Sequence, residues 1–353
     1  MNKIKSFYKG KRVLVTGHNG FKGTWMCQIL KDAGANVIGY SLEPTTEPSL
    51  YDITNMSRDM TSVIGDIRDL DHLMNVFDQY QPEIVFHLAA QPIVRTSYEE
   101  PVYTYGTNVM GTVNICEAIR KHTCTRSFVN ITTDKVYKNN EWEWGYREND
   151  ELGGYDPYSN SKSCSELVTK SYINSFFKEM PIAVSTCRAG NVIGGGDFAK
   201  ERIIPDCIRA QENHSEIIVR NPYSTRPYQH VLEPVCAYLQ LAMLQYLDKT
   251  KYEGHYNIGP DECDCVTTGE LVKLFCDKWG DNASWKEISE KGAPHEASFL
   301  KLDCSRIKQV VGWKPKWHIE EAVERVVSWS KVYFANGDVV AEMKSEIQNY
   351  LEE

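Results

Sequence analysis

A doubly wound, parallel α/β sheet with a smaller, mixed C-terminal lobe is the fold this sequence predicts. Three observations carry the expectation. Short apolar, β-favouring runs alternate with helical stretches from residue 11 to residue 188. A glycine turn, Gly17-His18-Asn19-Gly20-Phe21-Lys22-Gly23, joins the first such run to the first helix. Beyond residue 188 the alternation gives way to a glycine-rich stretch dotted with arginines.

The first strand is 11–16, apolar at Val13-Leu14-Val15, and its helix runs to about residue 32. Gly17, Gly20 and Gly23, with Asn19 and Phe21 between them, suit a tight turn whose backbone N–H groups approach a pyrophosphate at the helix N-terminus. The second strand, 36–41, ends in Tyr40-Ser41-Leu42-Glu43, and no basic residue lies between Lys31 and Arg58. NAD is therefore favoured over NADP, whose extra phosphate asks for an arginine there. Residues 42–56 read as a loop. A third strand, 61–65, leads into Asp66 and Ile67, placed to hold the edge and face of an adenine, and Asp69 reads as a helix N-cap. In the fourth strand, 83–90, His87 reads as a core histidine, and Leu88, Ala89 and Ala90 leave room for a cofactor over the strand end. Glu100-Pro101 opens a helix that runs to about 121 and carries Asn108. Further strands at 127–132 and 181–187 complete a Rossmann-type sheet.

The chemistry gathers between residues 128 and 162. Thr133, Asp134 and Lys135 stand at the carboxyl end of a buried strand, where open α/β sheets place their ligands. Tyr158 and Lys162 are four apart, hence on one face of a helix. An ammonium one turn from a phenol favours the phenolate, and moving a tyrosine from ~10 to about 7 takes roughly 4 kcal/mol. The alternative is a solvated surface pair. Asp134 and Lys135, being adjacent, point apart in a strand, so a turn must bring them to one substrate.

A net charge of -9 argues against nucleic acid as a partner. The basic, polar first ten residues carry no leader-like apolar run, and no stretch is long enough to span a bilayer. The eleven cysteines are scattered without metal-ligand spacing, which suits reduced thiols in a cytoplasmic protein and no metal centre. Past residue 188, Arg202, Arg209, Arg220 and Arg226 offer forks for diphosphate oxygens, Arg226 by the strongest local context. The helix from Ile319 to about Phe334 reads as structural and final. Residues 1–188 form the expected cofactor domain, with parts of about 230–260 returning to it, and 189–353 mainly a sugar-nucleotide lobe.

Thr16-Gly17-x-x-Gly20-Phe21-x-Gly23, Leu88-Ala89-Ala90 and Tyr158-x-x-x-Lys162 together resemble the extended short-chain dehydrogenase/reductase family along essentially the whole chain. Gln91-Pro92-Ile93-Val94-Arg95, Gly194-Gly195-Gly196-Asp197 and Arg226-Pro227-Tyr228-Gln229-His230 resemble its nucleotide-sugar 4,6-dehydratase branch. That resemblance implies a lyase that keeps NAD, acts on CDP-glucose in deoxysugar synthesis, and forms a homodimer or higher homo-oligomer. It implies Tyr158 as base at the 4-hydroxyl, Thr133 as its guide, Lys162 on the cofactor ribose, Asp134 as acid and Lys135 as C5 base. It further implies Asn191, Arg202, Arg220, Arg226, His230, His295 and Glu296 around the sugar nucleotide. A nucleotide-sugar 4-epimerase, and a cofactor-sensing binding protein without turnover, are the rival readings.

Overall fold

The structure, a computed structural model, describes residues 2–288 and 299–352. Six strands appear in chain order: β1 (Arg12–Thr16), β2 (Asn36–Ser41), β3 (Thr61–Ile64), β4 (Ile84–His87), β5 (Ser127–Ile131) and β6 (Ala183–Ala189). A seventh, β7 (Gly254–Ile258), joins them after a long excursion. The sheet order is β7-β6-β5-β4-β1-β2-β3 and every pairing is parallel. The chain reverses direction across the sheet between β1 and β4, which opens a crevice at their carboxyl ends.

Both faces are covered, as a parallel sheet requires. Alternate residues divide between two apolar cores. Val13, Val15, Phe86 and Val129 pack with Trp25 and Leu239 on one side, while Leu14, Val85 and Phe128 pack with Phe77 and Ile115 on the other. The helix Phe21–Asp32 covers the first face and Gly111–Lys121 the second.

The observed elements depart from expectation at instructive places. β6 begins two residues late because Pro181 cannot donate to the ladder, and it continues through Arg188 and Ala189, both buried. The helix opened at Pro101 is interrupted by a π-turn, Gly106–Met110, before Gly111–Lys121 resumes. The 42–56 stretch contains a helical turn, Leu50–Ile53, capped by the Ser49 side chain. Ile319–Phe334 is not the last helix: Val339–Glu352 follows it, burying Met343, Glu346 and Ile347.

The C-terminal lobe has its own core, in which Ile217, Leu271, Phe275 and Val323 meet. It contains the helices Ile203–Glu212, Thr268–Trp279 and Ile319–Phe334 and the parallel pair Ile217–Val219 with Trp285–Glu287. Between these elements the chain drops back to the sheet. Helix Leu232–Leu247 contributes Val235, Leu239 and Ala242 to the first core, and β7 pairs with β6 from Gly254 opposite Ser185.

Candidate active site

A cleft of about 1120 Å³ runs over the carboxyl ends of β1, β4 and β5 and under the C-terminal lobe. Gly17, Asn19, Gly20, Phe21 and Gly23 line one end. Gly17 has φ +71°, and a Cβ there would stand 2.8 Å from Ala89 N; one on Gly23 would stand 2.2 Å from Gly17 O. The helix that begins at Phe21 has no side-chain cap, so its first-turn amides open on the cleft. An uncapped helix N-terminus behind a turn that admits no side chain suits a pyrophosphate. Asp66, Ile67, Leu88, Ala89 and Ala90 continue the lining, and the β2 end contributes Tyr40, Ser41, Leu42 and Glu43 without a cation. Asp66 is also paired with Arg68 at 2.6 Å, and Asp69 caps the helix Leu70–Tyr80.

Thr133, Asp134, Lys135, Tyr158 and Lys162 line the middle of the cleft together. Directly after β5 the backbone tightens into a 3-10 turn, Asp134–Val136, with Thr133 as its N-cap. That turn brings the neighbours to one side: Lys135 Nζ lies 3.2 Å from Asp134 Oδ1 and donates to Asn191 Oδ1 at 3.2 Å. Thr133 Oγ1 donates to Asp134 Oδ1 at 2.8 Å and is hydrogen-bonded to Tyr158. Asp134 Oδ2 is buried without a partner among the described residues. Such an oxygen is costly unless a ligand donates to it.

Tyr158 and Lys162 lie on helix Pro157–Tyr172, which Asp156 caps through Ser159 N. Their electrostatics correct the expected tyrosine. Burial pushes the Tyr158 phenol up to about 12; Thr133 and Arg202 pull down, Asp134 pushes up, and Lys162 is not among the charges acting on it. Lys162 is directed instead at the Ile131 carbonyl, 3.1 Å away, and burial with the nearby charge of Lys22 brings it down to about 7. An ammonium that is half neutral at pH 7 and bound to a carbonyl is a weak stabiliser of a phenolate.

Behind the helix, Glu166 accepts Thr132 Oγ1 and Thr186 Oγ1 at 2.6 Å each, and Arg188 Nε and Nη2 at 3.0 Å each. Burial pushes this carboxyl up, but the Arg188 fork and His255 outweigh it and hold Glu166 far below the usual range.

At the far end of the cleft stand Asn191, Arg202, Arg220 and Arg226. Arg202 is paired with Asp197 at 3.0 Å, Arg220 with Glu201 at 2.6 Å, and Arg226 is buried with Nη1 on the Thr225 carbonyl. Two expected ligands are elsewhere. His230 is fully buried with its ring against Trp25 and Trp317, Nε2 3.4 Å from Glu346 Oε2, and burial holds it neutral at about 3. The chain turns into helix Leu232–Leu247 just after it, which folds the imidazole back into the core. Asn108 is also buried behind the lining: it accepts Gln91 N at 2.8 Å and donates to Ser161 Oγ at 2.9 Å. Thr107, its neighbour, reaches the cleft. His295 and Glu296 lie outside the described residues.

Three lining residues escaped the sequence reading: Lys22, Arg95 and Glu201. Burial and the charges of Arg202 and Lys135 bring Lys22 down to about 8, against Asp134 and Asp197. A cation inside the glycine turn, one residue before its last glycine, was the available signal. Away from the cleft, Cys263, Asp264 and His318 each bring a donor atom within 4.8 Å. The Asp264 carboxylate is engaged there, accepting Ile319 N at 3.0 Å and His318 Nδ1 at 2.9 Å.

Comparison with known proteins agrees with this geometry. The sequence matches the family described as GDP-mannose 4,6 dehydratase over residues 14–326. It is 48% identical, over 98% of both chains, to a CDP-glucose 4,6-dehydratase of Salmonella typhimurium. It is 27% identical to a dTDP-glucose 4,6-dehydratase of Haemophilus influenzae, over 90% of this chain and 97% of that one. Among solved structures, a UDP-glucose 4-epimerase of Thermotoga maritima with UDP-glucose superposes with a TM-score of 0.77 at 22% identity, covering 91% of this chain and 99% of that one. A Bacillus cereus UDP-glucuronic acid 4-epimerase in complex with UDP-glucuronic acid and NAD gives 0.77 at 21%, over 90% and 98%. The chain thus belongs to the GDP-mannose 4,6 dehydratase family, within the extended short-chain dehydrogenases/reductases.

Proposed function

We propose that this protein dehydrates CDP-glucose to CDP-4-dehydro-6-deoxyglucose with NAD, feeding deoxysugar synthesis. The observation that carries the reading is the 3-10 turn after β5. It sets a carboxylate with an unpartnered oxygen and an ammonium beside Tyr158, in one cleft. A 4-epimerase has no elimination to catalyse and no use for that pair.

NAD held on the glycine turn supplies the hydride acceptor for C4 and the hydride donor for C6. Gly17, Gly20 and Gly23 admit its pyrophosphate, Asn19 and Phe21 flank it, and Lys162 holds the ribose. Tyr158 takes the 4-hydroxyl proton, guided by Thr133. With a phenol at about 12, this transfer relies on Thr133 and Arg202 to favour the phenolate. Lys135 takes the C5 proton once a ketone at C4 has acidified it. Asp134 protonates the departing 6-hydroxyl through the oxygen that has no partner of its own. Asn191 fixes the Lys135 amine, and Arg202, Arg220 and Arg226 receive the diphosphate.

We assign residues 1–188, with the returning stretch 232–258, to the cofactor domain and the remainder to the sugar-nucleotide lobe. Exposed Val102, Met110, Leu167 and Phe176 support a homodimer through the helices that carry them. No helix among the described residues is long and apolar enough to cross a membrane, and all eleven cysteines are free, which supports a cytoplasmic location.

The test is incubation with CDP-glucose in deuterated water and a catalytic amount of NAD, read by mass spectrometry and NMR. The expected product has lost water, carries deuterium at C5 and exceeds the NAD supplied. A product that retains its 6-hydroxyl sinks the proposal in favour of an epimerase.

A further inference from the structure

Opposite walls of the cleft send guanidinium groups to a single carboxylate oxygen. Arg95 stands on the short helix Val94–Glu99, which follows β4 on the sheet side. Arg220 directly follows the strand Ile217–Val219 of the C-terminal lobe. Arg95 Nε lies 3.2 Å from Glu201 Oε2, and Arg220 Nη1 donates to that same oxygen at 2.6 Å. The three side chains line the cleft and remain 35% (Arg95), 41% (Arg220) and 37% (Glu201) exposed, so each meets solvent and can change partner. Arg226 differs: it is almost wholly buried and held by the Thr225 carbonyl.

We propose that Arg95 is a diphosphate ligand of this cleft, paired with Arg220 across it, and that Glu201 occupies the pair until the nucleotide-sugar displaces it. A guanidinium fork suits two acceptor oxygens at once. Two forks sharing one carboxylate oxygen leave that capacity unused, whereas a diphosphate offers two charges and several oxygens. Ion pairs this exposed are weak, so Glu201 is a replaceable occupant. It also pre-aligns side chains that otherwise lose rotamer freedom on binding. The carboxylate thereby disfavours weakly charged ligands and admits a diphosphate. This inference rests on the nucleotide-sugar reading and adds Arg95 and Glu201 to it.

The experiment compares Arg95→Met, Arg95→Lys and Glu201→Gln with the wild type, in CDP-glucose turnover and in calorimetric binding of CDP. Arg95→Met is expected to weaken KM for CDP-glucose and Kd for CDP together, by about tenfold, with kcat falling less than threefold. Arg95→Lys is expected to recover part of the loss, and Glu201→Gln to tighten both constants about threefold. Added salt should shrink these differences. An Arg95→Met variant that weakens CDP-glucose but not CDP assigns Arg95 to the sugar and overturns the proposal. So does a Glu201→Gln variant that binds CDP more weakly. A wild type that turns over no nucleotide-sugar defeats the functional reading instead, and the CDP arm still decides the fate of Arg95 and Glu201.

Discussion

Replacing Glu166 by Gln isolates the energetics under the active-site helix. The carboxylate accepts four hydrogen bonds, two of them from the Arg188 fork, and both side chains are buried. An amide of the same shape turns an NH2 group toward Arg188 and leaves a buried cation without its counter-charge. Removing one partner of a buried pair costs about 3–5 kcal/mol. Unfolding entropy of about 2.1 cal/mol/K per residue over 353 residues sums to roughly 0.74 kcal/mol/K, so the melting temperature should fall by about 4–7 °C. Because Glu166 is held below its unfolded value, its stabilisation is complete above that value, ~4.3, and is lost as pH falls through the folded one. The gap between wild type and Glu166→Gln should therefore narrow below about pH 4.5. Scanning calorimetry between pH 4 and pH 8 measures both, and adding Arg188→Met should recover part of the loss. A shift under 1 °C at pH 7, or a double variant as unstable as the sum of the singles, refutes the claim that this pair acts as a unit.

Other expectations follow from the same geometry. Lys162→Met should abolish turnover yet raise the melting temperature at pH 6.5. The folded Lys162 value is about 7 against ~10.4 unfolded, so its burial cost is full below pH 7 and fades toward pH 10, where the variant's advantage should vanish. Asp134→Asn should lower kcat by about 10²–10⁴ with KM within a few-fold, and quench-flow should show oxidation at C4 outlasting elimination. His230→Phe should leave KM for CDP-glucose unchanged while shifting the melting temperature, since the ring sits between Trp25 and Trp317 and outside the cleft; a KM raised tenfold would restore it as a ligand.

Most of the sheet was legible because parallel strands buried on both faces read as apolar runs, and glycine and proline mark their ends. β1, β2 and β5 fall within a residue of their expected limits. The cluster of Thr133, Asp134, Lys135, Tyr158 and Lys162 was legible for a related reason: strand ends and helical spacing are backbone properties. What failed was the direction of side chains. His230 and Asn108 lie in suitable segments but turn into the core, and no pattern of neighbours reports that. Glu166 and Arg188 look like surface charges on paper, because a buried ion pair is made by residues 22 apart that meet only after β6 lies beside β5. The expected tyrosine shift failed on competition: the Ile131 carbonyl engages Lys162, and desolvation acts on both members of the pair.

The place of β7 in the sheet has a consequence for synthesis. β6 ends at Ala189, and its outer partner ends at Ile258. At about 5–20 residues per second, the ribosome takes roughly 3–14 s to make the intervening chain. Throughout that interval the outer edge of β6 has unpaired backbone groups, a template for strands of other nascent chains. Helix Leu232–Leu247 emerges before β7 and covers the adjoining face first. Nascent chains arrested near residue 250 should therefore be more aggregation-prone than chains arrested beyond 258, and slowing translation between those points should lower soluble yield.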